Sequence, residues 1–270
     1  MPGTLRILLT NDDGYSAKGI ETLAAIMRQF GSLTVIAPKK PQSGMSMAVT
    51  LGGIPMAVRE LPGRDGERWF YLDGTPASCV KYGIDEVFWP EKPDVVICGI
   101  NHGSNAATAA NYSGTLGAAE EGSLNGIFSV GVSLDDISRD ADFSSVERLF
   151  PEIFRKLLES RPERQGVFYN VNFPSPSFPE VKGIRVGHMG MGHWEKEFEP
   201  FECASGASCE EGEKQVVMVG SFVDDTPEED RLADHHIIKD GYISVTAHHV
   251  DYCDAPETER LRKLGFDLDF

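Results

Sequence analysis

Two adjacent aspartates, Asp12 and Asp13, are the residues whose type and spacing most directly suggest chemistry in this chain. Neighbouring carboxylates repel one another and are costly to remove from water, so a cation is expected between them. A hard divalent ion with oxygen ligands meets that need. The stretch Asn11-Asp12-Asp13-Gly14 would also serve as an ordinary Asp-rich turn capping a helix, and these residues alone leave both readings open. A second polar group, Asn101, His102 and Asn105 followed by Ser113-Gly114-Thr115, comes after a later apolar run. A helix opening at Ser-Gly-Thr exposes free N–H groups beside two hydroxyls, which is either a phosphate cradle or a plain Ser N-cap. Asn101 can lend a neutral carbonyl oxygen to a metal. His102 is either a proton donor to a leaving alcohol or a polar residue at the rim, and the rim is the simpler reading.

These groups need a scaffold that brings them together. Leu5–Thr10 is a short apolar run bounded by turn residues, so it reads as a buried strand, with a helix expected from Lys18 to Phe30. Leu33–Ala37 reads as a second strand, opening into the turn-rich loop Pro38–Ser46, where Ser43-Gly44 is explained by turn chemistry alone. Strand-like pieces follow at Ile54–Arg59 and Trp69–Leu72. Thr75 as N-cap and Pro76 as first helical residue predict a helix to about Phe88. Asp94–Ile100 and Ile127–Leu134 are further strands, and a small-sided helix starts at Ser113 between them. A helix from Ser144 to Leu158 is expected to kink or break at Pro151. Alternation of strands and helices implies a parallel sheet, whose ligands lie beyond the carboxyl ends of its strands. Asp12, Asp13, Asn101 and the Ser113 helix start would then share one edge.

Composition narrows the function classes. The chain has 270 residues, 41% of them hydrophobic, enough for one large domain or a domain with an appendage. No apolar run approaches a membrane span, and the start of the chain carries no signal-peptide pattern, so a cytoplasmic protein is expected. Five scattered cysteines without a CxxC pair argue against a disulfide framework. The net charge of −17 disfavours long nucleic acid as a partner but leaves small phosphate compounds open where a metal inverts the local charge. Between Glu195 and Asp234 thirteen acidic residues face three basic ones, which reads as a solvated loop or arm.

Five motifs occur together in an order and spacing that resembles the SurE family. They are Thr10-Asn11-Asp12-Asp13-Gly14, Ala37-Pro38 with Ser43-Gly44, Gly74-Thr75-Pro76, Gly99-Ile100-Asn101-x-Gly103-x-Asn105, and Tyr112-Ser113-Gly114-Thr115. The likeness extends to Asn170-Val171-Asn172-Phe173-Pro174 and Asp240–Thr246, nearly the whole chain. It implies a metal-dependent phosphomonoesterase acting on nucleoside monophosphates, with 3′-nucleotidase and short-chain exopolyphosphatase activity as extensions of the same chemistry. It also implies one divalent cation per subunit, Mg²⁺ or Mn²⁺, held by Asp12, Asp13, Ser43 and Asn101. Ser43 thereby moves from turn residue to ligand. Asp12, Asp13 and Asn101 become the catalytic residues, and Asn11, Gly44, Asn105, Ser113, Gly114 and Thr115 the phosphate-side groups. Ala107 and Thr108 depart from the family's usual Gly and acidic residue, which predicts a different backbone path there because Gly reaches φ > 0 cheaply. A non-catalytic metal- and nucleotide-binding module is the alternative. An aspartyl-phosphate enzyme is disfavoured because it wants Asp-x-Asp after the first strand, and a dinucleotide oxidoreductase because no G-x-G-x-x-G is present.

The expected architecture is therefore α/β: a Rossmann-like three-layer sandwich over residues 1–174, then a β-rich extension over 175–270 packed on the same domain. Strands are read at Gln165–Asn172, Ile184–Val186 and Val216–Val219, and a last helix at Glu257–Leu264. The family resemblance implies that this extension exchanges between subunits of a homodimer or homotetramer. Six of the seven histidines lie here, at 188, 193, 235, 236, 248 and 249. With Cys203 and Cys209 they raise the thought of zinc, but the spacings do not match finger patterns, and surface or interface histidines are the favoured reading.

Overall fold

The computed structural model describes residues 4–63, 66–175, 180–201 and 213–266. Cys203 and Cys209 lie outside the described residues. In chain order the first half contains β1 (Leu5–Thr10), α1 (Lys18–Met27), β2 (Gly31–Pro38), β3 (Val58–Leu61), β4 (Arg68–Leu72), α2 (Pro76–Tyr82), β5 (Val95–His102), α3 (Gly114–Leu124) and β6 (Phe128–Leu134). The second half contains α4 (Ser144–Glu159), β7 (Val167–Phe173), β8 (Ile184–Gly187), β9 (Gly192–Glu195), β10 (Phe198–Pro200), β11 (Val216–Met218), β12 (Ser221–Asp224), α5 (Asp234–Lys239), β13 (Ile243–His249) and α6 (Ala255–Lys263).

Nine strands form one sheet in the order β3-β4-β2-β1-β5-β6-β7-β13-β8. From β4 to β7 all neighbours are parallel, while β3 and β13 run antiparallel to β4 and β7. The chain winds outward from β1 in one direction and then returns to lay β5 on its other side. β1 and β5 are therefore the pair at which strand order reverses, and a crevice opens beyond their carboxyl ends.

Both faces of the sheet are covered, which explains why β1 and β5 read as continuous apolar runs instead of alternating ones. On one face Ile7 and Leu9 pack with Ile20 and Leu23 of α1 and with Phe150 and Phe154 of α4. On the other, Leu8, Val96 and Cys98 pack with Val80 of α2 and Leu116 and Ala119 of α3. The three-layer α/β expectation holds. Of the kink or break expected at Pro151, the break does not occur, since α4 runs on from Ser144 to Glu159. The proline's missing N–H costs one helical hydrogen bond, but the fully buried Phe150 and Phe154 on either side keep the helix seated.

α1 ends at Met27, short of Phe30, and the helix from Pro76 loses its α pitch at Gly83, continuing as a wider turn to Val87. The strand expected at Ile54–Arg59 pairs only over Val58–Leu61. Beyond Pro174, β8 and β13 return to complete the main sheet, while β9 with β12 and β10 with β11 form a two-stranded ribbon. Among the described residues no helix is long and apolar enough to cross a membrane.

Candidate active site

The turn after β1 is built by Asn11. Its side-chain N–H donates to the carbonyl of Gly14 (3.0 Å) and its side-chain oxygen accepts from the Gly14 N–H (3.1 Å). Asn11, expected among the phosphate-side groups, is fully buried and spends both ends of its amide on this turn. Gly14 takes φ +100°, and its N-terminal neighbours Asp12 and Asp13 are thereby held at the carboxyl edge of β1. α1 follows, and a Cβ on Gly19 would stand 2.1 Å from the carbonyl oxygen of Ile100. Glycine there lets α1 lie directly on the end of β5, next to Asn101.

Asp12 is buried and faces the first turn of α3, where the Thr115 hydroxyl donates to its Oδ1 (2.8 Å). Burial, followed by the charge of Asp13, pushes the Asp12 carboxyl up to about 6, against hydrogen bonds from Thr115 that pull it down. A Cβ on Gly114 would lie 2.9 Å from Asp12 Cβ, so the helix start and the carboxylate touch because this residue has no side chain. Ser113 caps α3, its Oγ accepting from the Leu116 N–H (3.1 Å). Asp13 is only partly buried and lies toward solvent; burial raises its carboxyl too, opposed by His102.

Asn101 donates its side-chain N–H to the carbonyl of Gly103 (2.8 Å), an orientation that leaves its Oδ1 as the available acceptor. The Ser43 loop reaches the same edge, because the Gln42 N–H donates to the carbonyl of Asp12 (2.7 Å) and the Ser46 N–H to that of Tyr112 (3.0 Å). Ser43 and Gly44 are exposed, Gly44 at φ +75°. Two carboxylates, one amide oxygen with its nitrogen already committed, and one exposed hydroxyl form an all-oxygen donor set. Two adjacent acids raised by burial, Asp12 also by the charge of Asp13, are the feature a cation would relieve, so these residues fit a hard divalent ion.

Asn105 is fixed from three sides. Its N–H donates to Asn172 Oδ1, its carbonyl accepts from Asn170 Nδ2, and its side-chain N–H donates to Ser133 Oγ, all at 2.8 Å. Asn170 and Asn172 are two apart on β7, hence on one face. In the sequence they stand out only as part of a motif, since their partners are far away along the chain. His102 donates or accepts at Nδ1 with the carbonyl of Ser138 (2.8 Å); as a carbonyl only accepts, Nδ1 carries the proton. Its ring meets Phe143 edge-on.

Asp13, His102, Lys18, Lys39 and Arg139 line an open cleft of about 490 Å³. The three cations are a feature that sequence reasoning missed, because Lys18, Lys39 and Arg139 come from three separate loops and helix starts. They give a local positive rim in a strongly acidic chain. At Ala107, where a changed path was expected, the backbone takes φ +49°, within the region glycine favours. Its N–H donates to the buried Asp234 Oδ1 (2.9 Å), and the Thr108 hydroxyl donates to the carbonyl of Gly192 (2.7 Å).

Residues 7–196 match the family model described as Survival protein SurE. A 5′-nucleotidase SurE of Christiangramia forsetii is 36% identical over 252 residues, covering 90% of this chain and 93% of that protein. One from Cytophaga hutchinsonii is 38% identical over 242 residues, covering 88% of each. The crystal structure of the SurE protein from Aquifex aeolicus superposes with a TM-score of 0.78 at 28% identity, covering 96% of this chain and 99% of that one. By its sequence and by the arrangement of its sheet, the chain belongs to the SurE family.

Proposed function

We propose that this chain is a metal-dependent nucleotidase that hydrolyses nucleoside monophosphates to nucleoside and phosphate. The observation that carries the reading is the meeting, at the reversal of strand order, of Asp12 and Asp13 with the first turn of α3 and an all-oxygen donor set. Its relatives' name, 5′-nucleotidase SurE, supports the substrate class. Asp12, Asp13, Ser43 and Asn101 would hold the cation, for which Mg²⁺ or Mn²⁺ suits the oxygen ligands. When bound, the cation neutralises phosphoryl charge and polarises the P–O bonds.

The protein's own groups do the rest. The Ser113 hydroxyl, the Gly114 N–H and Asn105 would face the phosphoryl oxygens, where the positive end of α3 would stabilise charge spreading over them. Asp13 lines the cleft while Asp12 is buried behind it, so Asp13 is the carboxylate placed to take a proton from the attacking water. As water oxygen bonds to phosphorus, the bond to the nucleoside oxygen breaks. His102, with Nδ1–H committed to Ser138, can give that oxygen a proton from Nε2 when the ring is in its doubly protonated, cationic form. Lys18, Lys39 and Arg139 attract the dianionic substrate into an otherwise acidic protein.

The exposed apolar residues of the ribbon, Phe198, Phe201 and Val216 to Val219, together with α6, which buries none of its residues, suit a second copy of the chain as their cover. We place the homodimer contact there. The test of the activity is phosphate release from nucleoside 5′- and 3′-monophosphates with and without Mg²⁺ or Mn²⁺, beside Asp13→Asn. Metal-dependent release lost in the variant supports the reading. Folded protein that binds a monophosphate yet releases nothing with any metal is a binding module instead.

A further inference from the structure

A second constellation of metal-ligating side chains stands apart from the acid pair. Asp224 at the end of β12 and His235 and His236 on α5 each place one donor atom so that all three lie within 4.8 Å of one another. Asp224 lies eleven residues before His235, a spacing that matches no finger pattern. His236 Nδ1 is 2.8 Å from the main-chain carbonyl of Asp230, which can only accept, so this nitrogen carries the proton. Nε2 then faces Asp224 Oδ2 at 2.8 Å. With a proton on Nε2 the ring donates to that carboxylate, and in the neutral ring the same place between nitrogen and oxygen suits a metal cation.

His235 makes the case independently. Both its ring nitrogens are shut off from solvent and neither has a hydrogen-bond partner. Nε2 lies 3.0 Å from Asp224 Oδ1 without the alignment of a hydrogen bond, and Nδ1 lies 3.6 Å from Asp234 Oδ1. Asp234 is itself fully buried, with Oδ2 unpartnered. Each imidazole thus has an oxygen acceptor on or near Nδ1 and turns Nε2 to the same carboxylate. For His236 the Asp230 carbonyl is the kind of partner that fixes the tautomer of a metal-bound histidine, while His235 keeps both nitrogens without a hydrogen bond.

We propose that Asp224, His235 and His236 bind a transition-metal cation of the Zn²⁺ class, separate from the divalent ion of the acid pair. The 2.8 and 3.0 Å contacts run from the two Nε2 atoms to different oxygens of Asp224, so the three side chains would shift to take one ion with bonds of about 2.0–2.1 Å. Asp224 is partly exposed, leaving water for the fourth position. Two imidazoles and one carboxylate favour Zn²⁺, Co²⁺ or Ni²⁺ over Mg²⁺, unlike the all-oxygen site. The acidic stretch around the ribbon favours any cation. The ion would staple β12 to α5, which Asp234 ties to Ala107 and to Gly190.

The experiment uses the full chain stripped of metal, with Mg²⁺ in excess to occupy the oxygen site, titrated with Zn²⁺ or Co²⁺. Bound zinc is counted by elemental analysis, and Co²⁺ ligation is read from its visible absorption. One zinc per chain is expected in the wild type and in Asp13→Asn. A paired His235→Ala, His236→Ala variant should lose it. Asp224→Asn, which keeps the shape of the side chain, should weaken it at least tenfold and guards against misfolding of the double variant. A circular dichroism spectrum and urea midpoint close to those of the wild type report that the fold persists. Zinc that disappears with Asp13→Asn and survives the histidine and Asp224 substitutions overturns the proposal, as does a wild type that binds none in excess Mg²⁺. Because the readout is occupancy, it stands or falls apart from the nucleotidase activity.

Discussion

Replacing Asp12 by Asn should make the metal-free protein more stable at neutral pH, by an amount the structure sets. Burial and the neighbouring charge of Asp13 raise the Asp12 carboxyl from 3.8 to about 6. At 1.36 kcal/mol per pH unit, that difference costs the folded state about 3 kcal/mol once the group is ionised. Below about pH 4 both folded and unfolded chains carry the acid neutral, and the cost is absent. Between pH 4 and 6 the unfolded chain releases its proton first, so the folded state, which holds more protons, loses stability as pH rises. Above 6 the full cost remains. Asn cannot ionise, so urea unfolding in chelator at several pH values should show the difference between wild type and Asp12→Asn shifting in the variant's favour by about 3 kcal/mol from pH 4 to pH 8. Saturating Mg²⁺ or Mn²⁺ should reverse that advantage, because only the wild type gains from binding. A difference that stays flat with pH, or that moves toward the wild type in chelator, would refute the account of a buried acid beside a second carboxylate awaiting a cation.

Thr115→Val removes the hydroxyl that donates to Asp12 while keeping the shape of the side chain. A hydrogen bond to a charged group contributes about 1.5–3 kcal/mol, so the metal concentration for half-maximal phosphate release should rise roughly 10–100-fold, with a smaller change in rate at saturation. Ala107→Gly relieves the φ of +49° at that residue and should raise stability by about 1 kcal/mol in urea, with the Asp234 contact retained. An unchanged midpoint would mean that the left-handed backbone at Ala107 carries no strain.

Much of the fold was legible because its signals are local. Apolar runs such as Leu5–Thr10 and Val95–Ile100 are too short for helices and lack polar alternation, which marks strands covered on both faces. Thr75-Pro76 and Ser113 announce their helices through capping chemistry, and both caps are formed. Pro151 does not end its helix because the local cost of a missing N–H is outweighed by burial of Phe150 and Phe154, which a sequence window does not contain. The ribbon strands β9 and β12 and the six-residue α5 escaped notice because each is too short for a period to register.

The sequence by itself determined the donor types: adjacent acids after one strand, an amide after another, and a Ser-Gly-Thr helix start. Their association depends on strand order, which no local pattern encodes. Only the tertiary structure decided that β1 and β5 lie side by side, that Thr115 reaches Asp12 across 103 residues, and that Asn170 and Asn172 clamp Asn105. The same holds for Lys18, Lys39 and Arg139 around the cleft, and for Asp224 beside His235 and His236. Side-chain chemistry is written residue by residue, whereas distance across a sheet is settled by the joint burial of both its faces.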